Sequence, residues 1–256
     1  MPQLIVEAIA PVGSWRPPEA MTFHRTYPLP PYTSVVGMLG AALGLELSDA
    51  FTFVKEQSVQ LGVGGWSSGL MKDLWKIQKL GDKEEVGSAI LLREHCVDVR
   101  LVLVFAAENQ STLQRIRKGF DCPAFPITAG QSDSLVRIAA TKLVDQETVE
   151  SETLHSAMLY GELTPEYRTA VDLATVPLAH TIRAPVVERI PTSFSFDENG
   201  HRLLAGRALV TFVADPVVVP HEHRVTGYAV ETNSKFLRSR PFGCENLPWI
   251  IPVHQF

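Results

Sequence analysis

The stretch Asp98–Phe120, DVRLVLVFAAENQSTLQRIRKGF, decides the fold. Val99, Leu101, Leu103 and Phe105 alternate with Arg100, Val102 and Val104. That is the period of two that a pleated strand imposes, and the richness in Val, Leu and Phe makes this the best candidate for a central strand. At Ser111 the period changes. Ser111 is the expected cap of a helix, TLQRIRKGF, with Leu113, Ile116 and Phe120 on one side and Arg115, Arg117 and Lys118 elsewhere.

Working back toward the start, Leu4, Val6 and Ala8 alternate with Ile5, Glu7 and Ile9, a strand that Pro11 and Gly13 should end. A proline-rich loop over residues 11 to 32 follows. Thr33 or Ser34 then caps a short helix, VVGMLGAAL, that Gly44 terminates. Gly37, Gly40 and Gly44 share one face of that helix, which leaves its backbone open to close approach. A strand is expected around Ser58–Val63, and the aperiodic, glycine-rich and charged excursion Gly64–Gly87 reads as an inserted hairpin or arm. Working forward, a turn-rich segment, DCPAFPITAGQSD, leads to a strand at Leu135–Ala139.

Strand, helix, strand, strand, helix, strand within the first 140 residues is the split βαβ, or ferredoxin-like, arrangement of the α+β class. The reading gives a domain over residues 1–145, carrying the arm at about 64–87, and a smaller β-rich part over 146–256. In that second part Thr181–Phe196 and Leu203–Val219 read as strands around the DENG turn Asp197–Gly200, and Asp145–Tyr160 as a surface helix.

Composition narrows the function. The 256 residues are 45% hydrophobic and 20% charged, those of a folded globular chain. The 23 Lys and Arg against 28 Asp and Glu give a formal charge of -5, which argues against nucleic-acid binding by bulk electrostatics and requires any such site to be local. Cys96, Cys122 and Cys244 are far apart and in no CxxC spacing, so neither a zinc site nor a disulfide framework is expected. No apolar run is long enough to span a bilayer. MPQLIVEAIA has no basic segment ahead of its apolar residues, so no secretory signal and a cytoplasmic location are expected.

Chemistry concentrates in Ser14–Gly44, SWRPPEAMTFHRTYPLPPYTSVVGMLGAALG. Arg16, His24 and Arg25 offer cations or donors, Trp15, Phe23, Tyr27 and Tyr32 offer flat rings, and the helix start offers free N–H groups. Phosphates, unstacked bases and a positive helix end make that set suitable for single-stranded RNA. The same aromatics also suit plain packing beneath a proline loop. His221 and His223 form an HxH after Pro220 with no third ligand at diagnostic spacing, and read as a surface turn. GVGG at Gly62–Gly65 completes no phosphate-loop pattern, and Lys235, Arg238 and Arg240 read as a solvated basic segment.

The run RTYPLPPYTSVVGMLGAALG resembles the N-terminal signature of the Cas-five family, a branch of the RAMP superfamily of CRISPR-associated proteins. LLREHCVDVRLVLVF is similar to that family's arginine-glutamate strand region, and PAFPITAGQSDSLVRI to its P-x-Y-P-L-x-L-G-x-S-x-x-L motif. Trp15-Arg16 stands where relatives have Phe-Arg, and Ala129-Gly130-Gln131-Ser132 where they have Leu-Gly before the serine. The resemblance implies a ferredoxin-like core with a thumb-like hairpin. It also implies a subunit of a type I CRISPR effector complex, Cascade, that holds the 5′ handle of the CRISPR RNA. The implied partners are the CRISPR RNA, the Cascade backbone and large subunits, and target DNA near the protospacer-adjacent motif, with no cofactor or metal.

On this reading the RNA-contacting residues are Ser14, Trp15, Arg16, Arg25, Tyr27, Thr33, Ser34 and Gly37. The arm adds Trp66, Lys72, Trp75 and Lys76, with Lys79 beside them, and Arg93, Gly130, Gln131 and Ser132 complete the set. Cleaving members of the family resemble a tyrosine joined by an adjacent Lys-His pair, and no Lys-His dipeptide occurs here. A non-catalytic subunit is therefore expected. The alternative is a metal-independent endoribonuclease using Tyr27, His24 or His95 as acid or base.

Overall fold

The computed structural model describes residues 1–80, 86–177, 181–198, 200–232 and 241–255. Lys235, Arg238 and Arg240, and the side chain of Lys79, lie outside the described residues.

The chain is a mixed α/β fold made mostly of sheet. Its elements run β1 (Pro2–Gly13), α1 (Tyr32–Leu43), α2 (Leu47–Glu56), β2 (Gln60–Trp66), β3 (Gly69–Leu80), β4 (Val86–Ala106), α3 (Gln110–Asp121) and β5 (Arg137–Asp145). After these come β6 (Ala157–Tyr160), β7 (Val186–Phe196), β8 (Arg202–Val213) and β9 (Val253–Gln255), together with short strands. One sheet runs in the order β7-β8-β6-β2-β4-β1-β5, with β9 also paired to β2 and β3 to β4. Strands β2, β4, β1 and β5 are antiparallel throughout. The second half of the chain thus extends the sheet begun by the first.

The β4 side chains face the two ways their alternation requires. Val99, Leu101, Leu103 and Phe105 join Leu4, Val6 and Ala8 beneath the three helices, in one core with Leu39, Phe53, Leu113, Ile116 and Phe120. Val102, Val104 and Ala106 face the other way with Ile5, against Trp66, Tyr228, Trp249 and Ile251. Both faces of the central strand are therefore dry. The GVGG run lies within β2, where a Cβ on Gly62 would sit 2.7 Å from the Pro252 carbonyl and one on Gly64 2.7 Å from Ile251 Cδ1. Those glycines admit the C-terminal segment.

Several sequence expectations are corrected. Strand β1 continues through Pro11 to Gly13, because its pairing with β5 stops at Ile9 and the missing proline N–H falls where only β4 is a neighbour. Helix α1 starts at Tyr32 with Pro31 as its uncapped N-cap, so Thr33 and Ser34 lie inside its first turn. Gly44 does end it, in the left-handed conformation at φ 70°. Helix α2 was not expected, although Ala50, Phe53 and Val54 carry its buried stripe. Asn109, not Ser111, caps α3, its side-chain oxygen accepting from the Ser111 N–H at 2.9 Å.

Residues 145–160 hold no helix. Strands at Val149–Ser151, Thr153–Leu154 and β6 occupy them. Strand β5 begins at Arg137, with Leu135 in an isolated bridge to Thr128. His221–His223 is a single exposed 3-10 turn, as expected. Glu166 and Glu222 bring carboxylates near His223 there, three exposed groups within 4.8 Å that the linear spacing conceals.

Phe105 is fully buried with its ring 5.4 Å from that of Phe120. Phe105→Ala should lower unfolding free energy by about 3–5 kcal/mol, read from urea denaturation. A loss below about 1 kcal/mol would show that this strand is not the core.

Candidate nucleic-acid interface

The exit of β1 is pinned on both sides. Ser14 N–H donates to the Ala129 carbonyl at 3.0 Å, and Ser14 Oγ donates to the Glu94 carbonyl at 2.7 Å. Gly130 sits opposite with φ 87°, and a Cβ there would collide with the Ser14 carbonyl oxygen. Its glycine is demanded by the chain's own backbone. Ser14 is buried, so it organises the site from beneath.

Beside this joint, the first turn of α1 opens on a cavity of about 300 Å³ lined by Thr33, Ser34, Gly37, Thr128, Gly130 and Arg202. Gly37 keeps it open, since a Cβ there would meet only Leu47 Cδ1, at 3.9 Å. The glycine face is otherwise taken up by protein: a Cβ on Gly40 would sit 3.1 Å from that of Ala50, and one on Gly44 3.1 Å from that of Ala124. Arg202 comes from β8, over the Phe194 ring at 4.6 Å. Sequence reasoning missed it, because nothing local says that the hairpin after Asp197–Gly200 returns to α1.

On the other side of the 130–133 loop lies a cationic and aromatic cluster at the root of the arm. Strand β3 pairs with the first half of β4, Asp73 opposite Arg93 and Trp75 opposite Leu91. The Arg93 guanidinium lies 3.8 Å from the centre of the Trp75 ring. Arg93 Nε donates to His95 Nε2 at 3.0 Å, which places the proton of a neutral His95 ring on Nδ1. Asp133 Oδ2 is 4.0 Å from Arg93 Nη2, and Gln131 and Ser132 precede it in the same loop. His24 pairs with Arg93 along the strand edge, and its Nε2 lies 3.0 Å from Arg16 Nη1. Arg93 and His95 are buried, Arg16 is exposed, and Trp75 is 44% exposed.

Burial, with the neighbouring arginines second, disfavours the charged form of both histidines. Burial lowers the His24 pKa first, then the Arg16 charge and, more weakly, Arg93, against an opposing backbone hydrogen bond at Met21. His95 is lowered by burial and then by Arg93, with Asp73 and Asp133 opposing. Both rings are neutral at pH 7.

Other predicted contacts lie elsewhere. Trp15, Tyr27 and Trp66 are buried, so none offers a ring face to a base. Trp66 is no part of the arm: it ends β2 and packs 5.4 Å from Trp249. The Tyr27 hydroxyl donates to the Arg189 carbonyl at 3.1 Å, and burial pushes it up to about 12, unsuited to proton abstraction near neutral pH. Arg25 is held by both carboxylate oxygens of Glu188. Lys72 lies 3.7 Å from Glu94, and Lys76 shares its face of the arm, opposite Trp75 and Arg93.

The family model described as CRISPR-associated protein (Cas_Cas5) matches residues 3–196. Among solved structures, a "Crystal structure of Cas protein" is 22% identical with TM-score 0.35, and the match covers 51% of this chain and only 57% of that one. A chain of a CRISPR RNA-guided surveillance complex is 12% identical with TM-score 0.49, covering 93% of this chain and 97% of that one. A CRISPR protein from Archaeoglobus fulgidus is 11% identical with TM-score 0.44 over 100% of both. No curated protein matches.

The lowered histidines carry a stability consequence. Below 6.5 the unfolded chain binds protons that the folded chain refuses, so their contribution is whole above that pH and is lost as pH falls through the folded values. Urea midpoints should drop between pH 7.5 and 5.5, and drop less in a His24→Gln, His95→Gln variant. An equal drop in both proteins would contradict the assignment.

Proposed function

Because the chain belongs to the CRISPR-associated Cas5 family, we propose that it is the subunit of a type I effector complex, Cascade, that grips the 5′ handle of the CRISPR RNA and caps the complex backbone. Its partners on this reading are that RNA, the backbone and large subunits, and target DNA near the protospacer-adjacent motif, in the cytoplasm. The sheet order β2-β4-β1-β5 beneath three helices is read as a ferredoxin-like core over residues 1–145, with β3 and the start of β4 as its thumb.

The observation that carries the proposal is continuity of chemistry across one surface. One loop joins the cavity of Thr33, Ser34 and Gly37 to the cluster of Arg93, Trp75, His24 and Arg16, because its Gly130 lines the first and its Asp133 lies 4.0 Å from Arg93 in the second. Hydroxyls and an arginine at one end suit phosphate oxygens. A half-open tryptophan backed by an arginine suits an unstacked base at the other. On a chain of net charge -5 such a local patch, rather than a general field, must draw RNA.

The role is binding rather than bond breaking. Tyr27 is sealed with its hydroxyl given to Arg189, and His95 Nε2 accepts from Arg93. Of the three candidate acid-base residues only His24 borders the patch from a partly exposed position.

Trp75→Ala should weaken handle-RNA binding by about 1–3 kcal/mol, the worth of one stacked base. Arg16→Ala should lower the salt dependence by about one phosphate contact. Arg25→Ala, which frees Glu188, should change affinity far less. Equal effects at Arg25 and Trp75 in filter binding would overturn this site. Labelled repeat RNA incubated with the protein in EDTA should stay intact, whereas a single cut abolished by His24→Ala would establish the nuclease instead.

A further inference from the structure

We propose that the opposite face of the arm is a protein-docking surface, and that a cavity at the arm's base receives a bulky apolar side chain from a neighbouring subunit. The inference rests on the reading of this chain as part of a larger complex.

Strand alternation places Leu70, Lys72, Leu74 and Lys76 on the face away from Trp75 and Arg93, with Ile90 from β4 beside them. Leu70, Leu74 and Ile90 are 61%, 68% and 70% exposed. Three large aliphatic side chains aligned on one side of a two-stranded arm form an apolar strip of the sort that marks a contact. The strip runs into a cavity of about 400 Å³, with Leu29, Trp66, Val186, Phe212 and Val213 in its walls and Leu70 at its edge. That volume lies at the low end of the range of small-ligand pockets and is ample for one bulky side chain.

Charge selects the occupant. The one charged residue among the described residues lining the cavity is Arg183, and its Nη2 lies 2.8 Å from Oδ1 of the buried Asp215. No free cation awaits a phosphate there, so an apolar side chain is favoured over a nucleotide. Along the strip Lys72 is held by Glu94, while Lys76 is exposed and has no carboxylate partner among the described residues. The fitting partner is a protein segment with a leucine, methionine or phenylalanine for the cavity and an acidic residue about 20 Å farther along the arm for Lys76.

The test uses the assembled complex and two variants at exposed positions: Leu74→Asp with Ile90→Asp on the strip, and Ala184→Phe at the cavity mouth. Each should reduce recovery of this chain with the other protein subunits at least tenfold, while the isolated chain binds handle RNA within twofold of the parent. A parallel loss of RNA affinity would assign the cavity to a nucleotide and overturn the proposal, as would unchanged recovery of both variants. Failure of Trp75→Ala to weaken RNA binding would sink the proposed RNA site and leave this result standing.

Discussion

A single strand that runs from Val86 to Ala106 joins the core to the arm, and its ladders with β1, β2 and β3 fix the sides of both. From Cys96 onward it is clamped by β1, and from Arg100 also by β2. Before Cys96 it projects with β3 as its main neighbour. Asp98, at φ 48°, interrupts the alternation between the two halves, so that Cys96 joins the same core as Val99 and Leu101, and the pairing with β3 keeps one register from Gly69 to Leu80. That register sets Arg93 and Ile90 on opposite faces of the arm.

The segment from Ser14 to Tyr32 depends on that frame. Ser14 is tied to Glu94 and Ala129, Trp15 N–H donates to Thr26 Oγ1 at 2.9 Å, and Tyr27 reaches Arg189. Arg25 and Glu188 close the loop against β7. These bonds divide a motif that looks uniform in the linear sequence. Trp15, Tyr27 and Arg25 hold the loop down, which leaves Arg16 and His24 at the edge beside Arg93.

The Val99–Phe105 half of β4 and helix α3 were legible because both periods are strong and their apolar residues are buried, on two faces and one respectively. Helix α2 was hidden by its brevity and by Phe51, Thr52 and Phe53, whose aromatic and β-branched side chains favour strands. Trp66 and Trp75 fall in the same glycine-rich and charged excursion of the sequence, and the position of the β2 terminus separates the core ring from the half-open one. The cap of α1 moved because Pro31 already supplies the extended turn into the helix, and its carbonyl accepts from Ser34 N–H at 2.8 Å. Gly130, expected among the RNA contacts, is required as glycine by the close approach of the Ser14 carbonyl. Contacts such as Arg202 over α1 are long-range, and no local pattern encodes them.

The central claim is that the two faces of one continuous strand pair meet different partners. Ultraviolet cross-linking of RNA within the purified complex, followed by mass spectrometry of the linked peptides, tests it most directly. The account requires cross-links at Trp75 and in the Gly130–Asp133 loop, with none at Leu70, Leu74 or Ile90. Cross-links concentrated on the leucine face, or spread evenly over both, would contradict it.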